Sequence, residues 1–192
     1  MDRIKFSCTL CGECCSGSMK VFVNSHDIYK MGRFLGLKHS RELFQNKRLI
    51  LDKGQNGLNL PRILFKEEPF SFCPFLINDF DESEGLRGFC SLHLIHKPLV
   101  CRLAPLYREI DLLEKTDDFH FILPHPGCPG KEQEGFIDPE NERKELEREL
   151  DFEIRYYRLL SSHEEDPSFL WDFSLEDKDD FDEILTQWEK EK

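Results

Sequence analysis

The sequence predicts a small, loop-rich α+β domain with short strands and two C-terminal helices. Three observations predict it. Leu, Ile, Val and Phe make up about 30% of the 192 residues, above the roughly 20% below which chains stay disordered. A core is therefore affordable, and with three Val and one Ala it must be built from Leu and Phe. All eight Cys lie in residues 1–130, among Pro and Gly that interrupt regular periodicity. Residues 131–192 instead carry apolar residues at helical spacing. The chain thus divides near Gly130 into a cysteine-bearing part, 1–130, and an acidic helical extension, 131–192, expected to pack on it.

The elements follow in order. Residues 1–18 are rich in Cys, Gly and Ser and read as a loop, and Met19 to Val23 alternates enough for a short strand. Ser25 is placed to cap a helix that runs to Gly36, with Ile28, Met31 and Leu35 on one face. Ser40 to Asn46 reads as a second short helix. Asp52 to Asn59 is a turn-rich hairpin connection, and Leu60 to Phe65 is a strand. Pro69 to Pro129 reads mostly as loop, with one strand at Phe119 to Leu123. In the extension, Asp138-Pro139 is an N-cap with Pro at the first helical position. Leu146, Leu150, Ile154, Tyr157 and Ser161 then mark one face of a single long helix. Pro167 breaks the chain, Ser174 is placed to cap, and Phe181, Ile184, Leu185 and Trp188 form the stripe of a last helix.

Charge narrows the function classes. The formal net charge is −12, and residues 131–192 hold 22 Asp and Glu against 9 Lys and Arg. A chain of this sign repels phosphate backbones, and no basic stripe with interleaved aromatics is present, so nucleic acid is not an expected partner. The acidic extension reads as a solvated surface, and its sharper reading is docking onto a basic protein partner. No stretch approaches the roughly 18 apolar residues of a membrane span. The N-terminus lacks an apolar signal region, so the expected location is the cytoplasm. A reducing compartment and clustered Cys point to metal or redox chemistry rather than disulfides.

The cysteines carry the chemistry. Cys8, Cys11 and Cys14 are spaced so that thiolates two residues apart can reach one metal across a tight turn, with Gly12 free to take a positive φ. Cys14 and Cys15 are adjacent, and neighbouring side chains diverge. The pair therefore suits two nearby sites, or one ligand and one packed thiol. Downstream stand Cys73-Pro74, Cys90 with His93 at ligand spacing, Cys101 followed by Arg102, and Cys128-Pro129. His93 and His96 read as packing histidines, or as a ligand or proton carrier beside the metal. Arg102 reads as a structural ion pair, or as an electrostatic partner of an anionic cluster. Phe70, Phe72, Phe75 and Phe80 read as core covering the site.

The motifs C-x-x-C-G-x-C-C at Cys8 to Cys15, C-x-F-L at Cys73 to Leu76, and Gly88, Cys90, His93, Lys97, Pro98, Cys101 and Arg102 together resemble the YkgJ-type cysteine-cluster family, the zinc- or iron-chelating CxxCxxCC domain. Phe6 and the Cys-Pro-Gly at Cys128 are also similar to it, and the likeness spans residues 6–130. It implies a bound metal. Some larger members of the family look like flagellin lysine N-methylases, which makes a protein-modifying enzyme an alternative.

The metal ligands expected are Cys8, Cys11, Cys14, Cys15, Cys73, Cys90, Cys101 and Cys128, one site drawing on the N-terminal cluster and a second on Cys15 with the downstream Cys. Soft thiolates select an iron–sulfur cluster or zinc. Three Cys at two-residue spacing with a remote Cys-Pro favour iron–sulfur, and hence a redox component. A zinc-stabilised, non-enzymatic module is the alternative. The fold class is accordingly metal-stabilised α+β.

Overall fold

The computed structural model describes residues 3–16, 19–54, 57–68, 71–81, 85–92, 95–123, 125–176 and 180–191, with the backbone alone for 79–81 and 85–87. Its strands are β1 (Ile4–Lys5), β2 (Leu49–Lys53), β3 (Asn59–Ile63), β4 (Leu76–Asp81), β5 (Gly85–Cys90), β6 (Leu106–Asp111), β7 (Thr116–Phe121) and β8 (Phe136–Ile137). Its helices are α1 (Ser25–Phe34), α2 (Arg41–Gln45), α3 (Leu99–Leu103), α4 (Pro139–Glu145), α5 (Glu147–Ser162) and α6 (Phe181–Lys190). The architecture is α+β. Among the described residues the strands form four separate antiparallel pairs, β1 with β8, β2 with β3, β4 with β5, and β6 with β7.

Several elements differ from expectation, each for a local reason. The cap of α1 is Asn24, not Ser25. The Asn24 side chain accepts from the Asp27 N–H at 3.0 Å, and the Asp27 carboxylate accepts from the Asn24 N–H at 3.4 Å. This is a reciprocal capping box. Ser25 instead donates its hydroxyl to the Leu170 carbonyl at 2.5 Å, fixing α1 to the C-terminal part. Met19 to Val23 makes an isolated bridge from Phe22 to Arg62 rather than a strand.

The stretch from Pro69 to Pro129 is not mostly loop. It contains two hairpins, each of two six-residue strands, and α3. The β6–β7 turn is closed by the Asp111 carboxylate, which accepts from the Leu113 and Glu114 N–H groups at 2.8 and 3.0 Å. Its strands are pinned by Arg108, which bonds both Asp117 carboxylate oxygens and also Glu153 on α5.

The expected single helix from Pro139 is two. Leu146 leaves helical geometry (φ −106°, ψ 9°), so α4 and α5 meet at a bend. The buried face of α5 is Leu150, Phe152, Tyr156, Leu159 and Leu160, rotated from the expected stripe. Asp180 caps α6, not Ser174, by accepting from the Asp182 N–H at 3.1 Å. Phe181, Ile184 and Leu185 are buried as the spacing predicts.

The main core combines residues from both sides of Gly130: Ile28, Met31, Leu43 and Ile63 pack with Leu159, Leu170 and Leu185. A second core joins Leu99, Leu103, Leu106 and Phe119 to Leu146 and Leu150. Burying each such side chain contributes about 2 kcal/mol, so α5, which faces both cores, ties the cysteine-bearing part together. Ser40 stitches the 171–173 segment in place. Its hydroxyl donates to the Trp171 or Phe173 carbonyl at 3.0 Å and accepts from the Phe173 N–H at 2.7 Å.

His26 sits among Phe152 and Phe181, with ring centroids 4.7 and 5.1 Å away. Burial, with the nearby Lys30 and Arg148 cations, lowers its pKa to about 3. The folded state thus keeps His26 neutral where the unfolded chain takes up a proton below about 6.5. Between these values the unfolded state binds more protons, so stability is present above about 6.5 and falls as pH drops toward 3. A His26→Phe variant is expected to lose part of this acid destabilisation, read as a shallower fall of the denaturation midpoint between pH 6.5 and pH 4. An unchanged slope would contradict the assignment.

Beneath α1 lies a charged network. Lys30 donates to Glu149 at 2.5 Å and to the Lys97 carbonyl at 3.0 Å, and Arg102 bonds the other Glu149 oxygen. Asp27, almost fully buried, accepts from the Leu99 N–H at 2.8 Å and so anchors the first turn of α3. Glu149→Ala strips the shared anion from two cations. Removing one partner of a buried pair typically costs about 3–5 kcal/mol. Lys30 keeps Asp27 at 3.4 Å and Arg102 is 27% exposed, so the expected loss is about 2 kcal/mol. Denaturant unfolding checks it.

Candidate metal centre

The candidate site gathers where the N-terminal loop, the β4–β5 hairpin and α3 meet. Gly12 takes φ +75° and starts a single 3₁₀ turn, Glu13–Cys15, that places Cys14 and Cys15 in sequence. The loop docks backbone to backbone on β5. The Gly88 N–H donates to the Leu10 carbonyl at 2.7 Å, and a Cβ on Gly88 would lie 2.6 Å from the Gly12 Cα. A side chain at Gly88 would clash with the Gly12 backbone, and one at Gly12 would be tight and would strain its positive φ.

Cys73 comes next to Cys15 through its own N–H, which donates to the Cys15 carbonyl at 2.7 Å. Arg48 braces the Cys73-Pro74 turn, donating to the Pro74 carbonyl at 3.1 Å with its guanidinium 5.6 Å from the Phe75 ring centre. In the hairpin Leu76 is paired with Cys90. The turn that begins at Cys73 and the turn that follows Cys90 therefore lie side by side at one end of the ladder, joined by the Ser91 N–H to the Phe75 carbonyl at 2.8 Å. Cys101, on α3, completes the group. Its position follows from the anchoring of Leu99 by Asp27.

Electrostatics show which thiols share a neighbourhood. Cys14 acts on Cys15, Cys73 and Cys90, and Cys73 acts on Cys15 and Cys101. The Cys14 and Cys15 thiols interact through a hydrogen bond that moves their pKa values in opposite directions, so the two share one neighbourhood. That bond first, with Lys97 and His125 nearby, holds Cys14 below the usual thiol range. The same bond, then burial and the surrounding thiolates, pushes Cys15 well above it. Burial pushes Cys73 up to about 11 and also raises Cys90 and Cys101.

Against burial stand donors aimed at sulfur. The Phe75 and Leu76 N–H groups hold the pKa of the Cys73 thiol down and the Leu92 N–H holds that of the Cys90 thiol down, each only in part against burial. Such donors favour a thiolate over a thiol, and with burial opposing ionisation they suit sulfurs that face a cation. Lys97 adds positive charge near Cys14, Cys90 and Cys101. The donor set is soft and thiol-rich, so it fits zinc or an iron–sulfur cluster. Among the described residues no three Cys, His, Asp or Glu side chains already stand at ligating geometry.

The eight expected ligands divide by place. Cys14, Cys15, Cys73, Cys90 and Cys101 form the group above. Cys8 and Cys11 are exposed, and Cys128 is buried. Cys128 belongs to a turn that packs on the N-terminus, where the Ser7 N–H donates to the Gly130 carbonyl at 3.0 Å. All eight cysteines are free thiols. The expected division put the N-terminal cluster in one site and Cys15 with the downstream cysteines in the other; electrostatically Cys14 also shares the neighbourhood of Cys15, Cys73 and Cys90.

His93 lies outside the described residues, as does Phe70. His96 packs against Phe34 with centroids 5.0 Å apart. Arg102 is an ion-pair partner of Glu149, its structural reading. Phe75 is 3% exposed and covers Cys73, while Phe72 is half-buried. A cleft of about 340 Å³ is walled by Tyr29, Phe152 and Phe181, and in it Arg102 pairs with Glu149 and Arg148 with Asp180. His125 was not among the expected residues. The His125-Pro126-Gly127-Cys128 spacing, a ligand spacing flanked by prolines, is the signal that points to it.

Among the described residues no helix is long and apolar enough to cross a membrane. No protein-family model, curated protein or solved structure matches the chain.

Proposed function

We propose that this chain is a metal-binding protein that holds an iron–sulfur cluster or zinc through clustered cysteine thiolates, with a redox role in the iron–sulfur form. One observation carries the reading. Two cysteine turns lie side by side at one end of the β4–β5 hairpin, and backbone N–H groups near the Cys73 and Cys90 sulfurs offset part of the burial that disfavours charge in this group of five thiols. Neutral thiols at this depth gain little from such donors, whereas metal-bound thiolates gain much.

Ligands drawn from Cys14, Cys15, Cys73, Cys90 and Cys101 would hold a four-ligand centre, and Cys8, Cys11 and Cys128 remain available for a second one. A bound cluster would supply one-electron chemistry, and bound zinc would supply folding energy. The zinc-module reading has its own support. The five thiols come from the N-terminal loop, the ends of β4 and β5, and α3, so one ion would cross-link elements that share few backbone bonds. Free thiols in this number belong in a reducing compartment, which makes the cytoplasm the proposed location. The acidic 131–192 region is proposed to meet a basic protein partner rather than nucleic acid or membrane.

Anaerobic purification with an absorption spectrum, metal analysis and acid-labile sulfide tests this. Brown protein with iron and sulfide supports the redox form. Colourless protein with stoichiometric zinc and no sulfide removes the redox form and leaves the structural module. Protein with neither metal overturns the proposal.

A further inference from the structure

We infer that His125 supplies a nitrogen ligand, through Nε2, to the thiolate-bound metal, so that the centre is a mixed imidazole–thiolate site and not an all-thiolate one. The inference rests on the metal reading above and names one more of its ligands. The imidazole Nε2 of His125 is buried and has no hydrogen-bond partner among the described residues. An unpaired buried polar atom costs about 1–3 kcal/mol and calls for a partner. The ring is held in place from below. It lies against Gly127, where a Cβ would be 3.6 Å from Nδ1 and 3.8 Å from Cε1, and the Cys128 N–H bonds the His125 carbonyl at 3.1 Å.

The surroundings of that nitrogen point to a metal rather than to a missing protein partner. His125 is near enough to Cys14 to act on its thiol. It also belongs to the same turn as Cys128, which packs against the Phe6–Ser7 segment leading to Cys8. The imidazole thus belongs to the Cys128 turn and also acts electrostatically on the five-thiol group at Cys14. An imidazole nitrogen among thiolates is an established donor set for zinc. Imidazole replacing thiolate on an iron–sulfur centre raises its potential.

X-ray absorption at the metal edge of the anaerobically purified full chain tests this, with pulsed electron paramagnetic resonance of the reduced protein if the metal is iron. The wild type is expected to show a mainly sulfur shell together with imidazole scattering or nitrogen coupling. His125→Ala is expected to lose that imidazole signature. His125→Cys is expected to keep the metal with an all-sulfur shell, which separates a ligand role from a folding role. A metal-loaded wild type with sulfur ligands alone overturns the inference and leaves the metal reading standing. An imidazole signature that persists in His125→Ala also overturns it and assigns the nitrogen to another histidine. A wild type without metal overturns both.

Discussion

Cys101→Ser is expected to lose the bound metal, with metal per chain falling at least about tenfold. The substitution is nearly isosteric, so it should not disturb α3 by size. It replaces a soft sulfur with an oxygen that soft metals bind poorly. Cys101 is half-buried and held beside Cys73 and Cys90 by an element whose first turn Asp27 fixes. No other described Cys lies on a helix of that segment to replace it. Because binding free energy at such sites is folding free energy, on the order of 10 kcal/mol for structural zinc, the thermal midpoint should fall with the metal. A Val100→Ser change, at the exposed neighbour, should leave both unchanged. Full metal content in Cys101→Ser would remove Cys101 from the ligand set.

Gly88→Ala is the second large effect, and it alters no ligand. The added methyl would meet Gly12 Cα at 2.6 Å, Gly12 N at 3.0 Å and Leu76 Cδ1 at 3.1 Å. Two of these atoms are backbone, so the loop carrying Cys14 and Cys15 must lift from the strand carrying Cys90. Overpacking of this kind costs about 3 kcal/mol, and the displaced thiols should lower metal affinity at least about tenfold. Gly12→Ala places its Cβ 3.2 Å from the Gly88 Cα and strains a φ of +75°. It should cost less, about 1–2 kcal/mol. Thermal melts and metal titrations of both variants check the order. Equal metal affinity in Gly88→Ala and wild type would mean that this docking does not shape the site.

The parts of the fold that were legible in the sequence are those where one residue type enforces local geometry. Asp138-Pro139 starts α4, Gly36 at φ +67° ends the first helical segment, and the turn-rich Asp52 to Asn59 joins β2 to β3. The β4–β5 and β6–β7 hairpins were not legible, because their strands do not alternate. In β6 only Leu106 is buried, and in β7 only Phe119. Arg108 with Asp117, and Arg143 lying 4.4 Å over the Phe119 ring, supply what an apolar face would normally supply. The Asp111 turn was the one local sign. The buried residues of α5 depart from a single stripe because the helix meets two cores, Leu150 entering one with Leu146 and Phe152, Tyr156, Leu159 and Leu160 entering the other.

The candidate site was legible as a set of residue types and not as a grouping. Spacing identifies Cys8, Cys11 and Cys14 as able to share a turn, yet the 3₁₀ turn at Glu13–Cys15 sends Cys14 toward Cys73 and Cys90. That outcome depends on the Gly12–Gly88 contact, which joins residues 76 positions apart and leaves no local trace.

The most direct test of the central claim, that the clustered thiols bind a metal, is native mass spectrometry of the anaerobically purified full chain, paired with the same sample denatured. The native mass is expected to exceed the chain mass by one or more zinc ions or by an iron–sulfide increment, and the excess should vanish on denaturation in acid. A native mass equal to that of the bare chain, with all eight thiols free to alkylate, would contradict it.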